Sequence, residues 1–286
     1  MSVSNAQYAA LLQRIEELES DTGHLPYVGA LRKEIDDMNK DFLLEVAKGN
    51  VPGHKMGTMI ALNPDVGTTE TETIWDLGDT YTYLTADTQL YISSTSASDT
   101  AVFVVVTGLD EDYLEVTRTV TVNGQTQVAL SGLMFRVFVA VVAGSTSPVG
   151  DLYIAESDTL TAGVPDTATK IKSQIALTGL DSGTEFASHN ITHNGFLTVP
   201  AGKTLYSLSL STFVEKNADI TFGGRVKLFG GSWINRSPSP LYQEFATLAF
   251  DTRLSLAQKT ELEFRVIAGN PGSSFQFQFQ YMLVDN

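Results

Sequence analysis

The sequence predicts a mainly β chain in which an N-terminal helical segment precedes two antiparallel β-sandwich domains. Three observations carry that expectation. Apolar residues repeat every three to four positions only within about the first fifty residues, the spacing of one helix face. From Thr73 onward they repeat every second position, in short runs roughly ten residues apart that are punctuated by Gly, Asp, Ser and Pro. Asn123-Gly124 also stands between two such runs, where a tight reversal is favoured.

Taken in order, residues 4–22 predict a helix capped by Ser4 or Asn5, with Tyr8, Leu11, Ile15 and Leu18 on one face. Gly23 and Pro26 end it, because Gly accepts a left-handed cap and Pro cannot continue the helix. A second helix is expected at about 28–48, with Val28, Leu31, Ile35, Met38, Phe42 and Val46 at the same spacing, ended by Gly49–Gly53. Neither is long enough to be stable alone in water. Their stripes must be covered by each other, by another copy or by a partner. Residues 1–50 therefore read as a helical anchor or oligomerisation arm, with Tyr8, Leu11, Ile15, Leu18, Leu31, Ile35, Met38 and Phe42 as its interface.

Residues 51–72 are rich in Gly, Pro and Thr and show little periodicity, so they read as a linker or extended arm. The first sandwich is expected over 73–168, with strands at Thr80–Leu84, Thr88–Ser93, Ala101–Thr107, Tyr113–Val122, Gln125–Leu130, Met134–Ala143 and Gly150–Ala155. Val116, Val120 and Val122 alternate before Asn123-Gly124, and Thr126, Val128 and Leu130 after it, which predicts a hairpin with a type I′ turn. The second is expected over 169–286. Its clearest strand is Ser274–Val284, where Phe275, Phe277, Phe279, Tyr281 and Leu283 alternate with Gln276, Gln278 and Gln280. An aromatic row of that kind must line a core, since exposed it would promote aggregation.

Composition narrows the function. There are 18 Lys and Arg against 33 Asp and Glu, leaving −15 at pH 7. Such a charge repels phosphate backbones, so nucleic acid is not an expected partner. Cys is absent, which excludes disulfides, thiolate zinc sites and a Cys nucleophile. The first residues lack a basic stretch followed by an apolar one, so no secretion signal is expected. No apolar run approaches the ~20 residues that span a bilayer, so membrane insertion is not expected either.

Candidate chemistry is sparse. His189 and His193 have a metal pair's helical spacing but lie in turn and strand composition, where residues four apart are about 13 Å apart. Val199–Thr204 carries a phosphate loop's Gly-Lys-Thr, but Leu197 stands where the motif needs Gly and no helix pattern follows. It reads as a Pro-Ala-Gly turn entering a strand. The acids Asp110, Asp112 and Glu115, and Glu70, Glu72, Asp76 and Asp79, lie in polar contexts expected to be solvated. No acid/base couple, nucleophilic triad, metal site or cofactor is expected, and a non-enzymatic role follows. Trp233 beside Arg236 is the one candidate for surface recognition, able to stack on a sugar; packing of Trp233 against its own sandwich is the alternative.

The order of several β segments adds a family likeness. Asn63–Glu70 followed by Ile74-Trp75-Asp76 resembles the entry segment of virion structural proteins of tailed bacteriophages, particularly marine podovirus-like ones. Gly108–Glu115, Val120–Gly124 and Phe135-Arg136 leading to Ala143–Ser145 resemble the first β module of that group. Thr198–Leu205 and Leu254–Leu262 followed by Arg265 resemble its second, jelly-roll-like module. The likeness covers roughly residues 60–286. It implies a homo-oligomer in the virion, often a trimer, acting as a head fibre, capsid decoration or neck or tail appendage. Its partners would be other virion proteins of the capsid, portal, neck or tail. A host-receptor or glycan-binding tail module is the alternative.

Overall fold

The computed structural model describes Gln13 and residues 42–177, 190–214, 219–235, 239–242, 245–249 and 254–286. The chain divides into two compact units, residues 1–55 and 56–286. In the first, helix α1 (Phe42–Ala47) is the end of the expected second helix. Glu45 accepts hydrogen bonds from Lys48 Nζ at 2.9 Å and Asn50 Nδ2 at 2.7 Å, and Gly49 closes the helix at φ +76°. The helix over 4–22 and most of that over 28–48 lie outside the described residues.

The strands in chain order are β1 (His54–Val66), β2 (Glu72–Thr73), β3 (Leu90–Ser94), β4 (Phe103–Leu109), β5 (Glu115–Thr121), β6 (Val128–Ala129) and β7 (Arg136–Val142). Then come β8 (Leu152–Glu156), β9 (Leu160–Thr161), β10 (Val164–Pro165), a 3₁₀ turn at Ala168–Lys170, and β11 (Ile171–Ile175). The remainder are β12 (Phe196–Thr198), β13 (Lys203–Val214), β14 (Asp219–Lys227), β15 (Trp233–Asn235), β16 (Ser239–Tyr242), β17 (Phe245–Ala249), β18 (Ser255–Leu256), β19 (Glu261–Ala268) and β20 (Ser273–Asp285). The protein is mainly β, built from several antiparallel sheets.

Two of those sheets, β11-β8-β3-β6 and β5-β4-β7, share an aliphatic core that includes Leu90, Ile92, Val104, Val106, Leu152 and Ile154. Two more, β1-β20-β13-β17 and β12-β19-β14-β15, share a second core. There Phe222 and Phe264 meet Phe275, Phe277 and Phe279 at centroid distances of 4.6–5.9 Å. The Phe row of β20 points inward as its alternation requires, with Phe275 and Phe277 fully buried. A third cluster joins the two halves: Trp75, Tyr81 and Phe196 pack with Tyr153, Ala155 and Ile171.

Three expectations need correction. The segment read as a linker contains β1, whose Met59, Ala61, Leu62 and Val66 are buried. Ala61, Leu62 and Asn63 are buried in succession, so both faces of that stretch are covered and no period of two can show. Residues 80–84 form no ladder; Tyr81 and Leu84 are buried by packing alone, while the Tyr81 N–H donates to Thr73 Oγ1 at 2.9 Å. The chain does reverse at Asn123, but not as a hairpin with a type I′ turn. The Thr126 N–H donates to the Asn123 carbonyl, which makes Gly124-Gln125 the central pair, and of these only Gly124 has positive φ (+58°). The two arms then separate. β5 pairs with β4 and β6 pairs with β3, so the reversal hands the chain from one sheet to the other.

Candidate functional site

The most chemically dense region is the outer face of the sheet holding β14 and β19. Their antiparallel register alternates two kinds of pair. Ile220↔Ala268, Phe222↔Val266 and Val226↔Leu262 face the aromatic core, so Gly223↔Arg265, Arg225↔Glu263 and Lys227↔Glu261 face away from it. β15 continues this face, placing Asn235 beside Arg225 and Trp233 beside Lys227.

The away-facing side is nevertheless largely covered. Glu263 is fully buried and accepts four hydrogen bonds: both carboxylate oxygens from Arg225 Nη2 at 3.0 and 2.8 Å, one from Thr73 Oγ1 and one from the Tyr83 hydroxyl, each at 2.9 Å. Arg265 Nε lies 3.6 Å from the same carboxylate. Glu261 pairs with Arg136 Nη2 at 2.5 Å and with Lys227 Nζ at 3.3 Å. The Arg136 guanidinium also donates to the Leu84 and Phe135 carbonyls and lies 3.8 Å from the Phe135 ring centroid. These partners make burial of the two carboxylates tolerable, since an unpaired buried charge costs several kcal/mol. Burial, with Glu263 beside it, pushes the Tyr83 phenol well above its ordinary range, so it stays a donor.

Four cations meet two carboxylates here. Arg225 and Arg265 border a cleft of about 220 Å³ lined also by Thr71, Thr221, Asn235 and the glycine pair 223–224. Burial and the neighbouring Arg225 charge push Arg265 below the usual guanidinium range, while Glu263 and Glu70 oppose that shift. The Nε atoms of both arginines are buried without a hydrogen-bond partner.

Trp233 lies on this face. Its ring is covered by the Arg225 guanidinium at 4.3 Å and approached by Tyr83 at 5.6 Å, so it packs against its own chain. Arg236 lies outside the described residues, as do Tyr8, Leu11, Ile15, Leu18, Leu31, Ile35 and Met38. Phe42 is half exposed and meets His54 edge-on at 5.6 Å.

His189 also lies outside the described residues, but His193 and Asp76 are both buried, against the expectation of solvated loops. Asp76 accepts the His193 backbone N–H at 2.7 Å and faces its Nδ1 at 3.0 Å, which pins the segment entering β12. Asp110 Oδ1 accepts the N–H groups of Asp112 and Leu114, an Asx turn that organises its loop. Pro200–Gly202 is the turn expected there, with Gly202 at φ +73° leading into β13. Sequence reasoning missed Glu261 and Glu263. The signal was present as alternating charges, Glu261-x-Glu263-x-Arg265 and Arg225-x-Lys227, on two strands that become neighbours.

No family model matches this chain, and no curated protein sequence matches it. Solved structures give partial likenesses. The infectious bursal disease virus Gx strain structure is 13% identical, covers 82% of this chain and 73% of that one, and has a TM-score of 0.24. The VP2 subviral particle of infectious bursal disease virus is 12% identical over 85% and 78% of the two chains, with a TM-score of 0.23. The mosquito-larvicidal Cry4Aa toxin of Bacillus thuringiensis is 9% identical over 82% and 52%, with a TM-score of 0.19. TM-scores this low carry no argument for fold or function.

Proposed function

We propose that this chain is a non-enzymatic structural component of a tailed-phage virion. In this reading it is a homo-oligomeric, trimeric head fibre, capsid decoration or neck or tail appendage. The N-terminal segment seats it on other virion proteins, and the β body takes the two-module form of the group it resembles, its second module jelly-roll-like. The observation that carries the reading is the build of residues 56–286. Two pairs of sheets are fused through the Trp75–Tyr81–Phe196 cluster and the Arg136–Glu261 ion pair, a construction suited to holding a shape. The ordered segments that resemble phage virion proteins add to it. So does the −15 charge, which keeps a repetitive assembly soluble. Both buried carboxylates of the charged face are neutralised by cations, which suits a structural role for them better than proton transfer.

The test is twofold. Antibody labelling of purified particles should mark regularly placed copies, and sedimentation of the full chain should give three times its 31.0 kDa mass. Purified particles that lack the chain would overturn the virion assignment; a monomer at micromolar concentration would overturn the oligomer.

A further inference from the structure

The charged face gathers four cations, Arg136, Arg225, Lys227 and Arg265, around the buried carboxylates of Glu261 and Glu263, with Glu70 also acting on Arg265. Arg225 and Arg265 share Glu263, while Arg136 and Lys227 share Glu261. In a chain of net charge −15, two guanidinium groups bordering one cleft run against the overall composition. Its donors are also incompletely used. Arg225 spends Nη2 on Glu263, and Arg265 spends Nη2 on the Thr71 carbonyl and Thr80 Oγ1. Both Nε–H groups are buried without a hydrogen-bond partner among the described residues, although Arg265 Nε lies 3.6 Å from Glu263 Oε1.

We propose that this cleft binds a single carboxylate group, with Arg225 and Arg265 supplying the charge and Asn235, Thr71 and Thr221 reading the polar groups beside it. A planar guanidinium fork matches a carboxylate bidentately, which an ammonium cannot do. The side-chain-free position Gly223, directly across the ladder from Arg265, leaves room above the sheet. The cleft, about 220 Å³, is smaller than the roughly 300–1,000 Å³ of drug-sized pockets, which suits one small acid or one acidic sugar unit. This site stands independently of the virion reading. It draws on the sheet face and would exist in any protein with this geometry.

The experiment is a titration of the full chain with sodium glucuronate, glucose and sodium acetate, followed by amide chemical shifts of the β14–β19 face. Glucuronate should bind saturably in the millimolar range, perturbing Thr221, Arg225, Asn235 and Arg265, and glucose should not. Acetate saturating as tightly as glucuronate identifies the ligand class as free small carboxylates; glucuronate binding at least tenfold tighter identifies acidic saccharides. Asn235→Asp on the exposed strand β15 should weaken binding tenfold or more while the melting temperature stays within a few degrees, and Arg265→Gln should weaken it at least as much. Arg265→Lys should recover only part of the loss. No saturable shift with either acid, or unchanged affinity in Asn235→Asp, would overturn the site. Equal shifts with glucose would overturn the role of charge.

Discussion

The two halves of the β body are filled by different side chains. One core is aliphatic apart from Met134, with Val104, Val106, Leu90, Ile92, Leu152 and Ile154 among its residues; the other is built on five phenylalanines. Their outer faces differ as well. β5 shows exposed or half-buried residues in alternation until Val120, so its far side meets water. β19 is buried at Glu261, Leu262, Glu263 and Phe264 in succession, so it is covered on both sides. The lesson concerns charge: a strand that keeps polar residues on a covered face must bring their counter-charges with it, and β14 supplies them in register.

That contrast can be broken at several points. The largest effect should come from Phe277→Ala, which empties the centre of the aromatic core and should cost about 4 kcal/mol in urea unfolding. Glu263→Ala should cost about 3 kcal/mol, because it strands Arg225 and Arg265 on a covered face; a cost below that of an ordinary surface change would show the face to be solvated. Gly124→Ala should cost more than about 1 kcal/mol, since the position needs φ +58° and a Cβ there would come within 2.8 Å of the Ala97 carbonyl oxygen. In the aliphatic core, Ile154→Val should cost only about 0.5–1.5 kcal/mol, and a value matching Phe277→Ala would erase the distinction between the two cores.

The smallest effect is one of pH. The Lys170 ammonium and the Thr167 N–H hold the Asp158 carboxyl down at about 2. A folded-state pKa below the ordinary 3.8 means that this contact contributes fully above that value and is lost as pH falls through about 2. Asp158→Asn should remove that dependence, read from the Thr167 amide shift across an acid titration.

Much of this was legible in the residues. The Phe row of β20 announced its own inward face, and the strand expected at Ser274–Val284 falls within one residue of β20 at each end. Periodicity failed where coverage was two-sided. β1 buries consecutive positions, so it looked like a linker. The reversal at Asn123 was visible, but which strands its arms join depends on β3 and β4, which lie earlier in the chain. Asp76 and His193 looked like loop residues because a buried pair 117 positions apart leaves no local trace. The charged face was hidden for a related reason: each strand carried half of it, and only the ladder made the halves meet.

Arg136 has a consequence for how the molecule comes apart. It rises from β7, which lines the aliphatic core, yet its partner Glu261 sits on β19, across the Phe-filled one. Were either core to melt first, the survivor would lose the counter-charge of an ion set into its flank. Such half-molten species are penalised from both directions, so heating should produce one sharp transition, and chemical shifts from both cores should vanish at the same temperature.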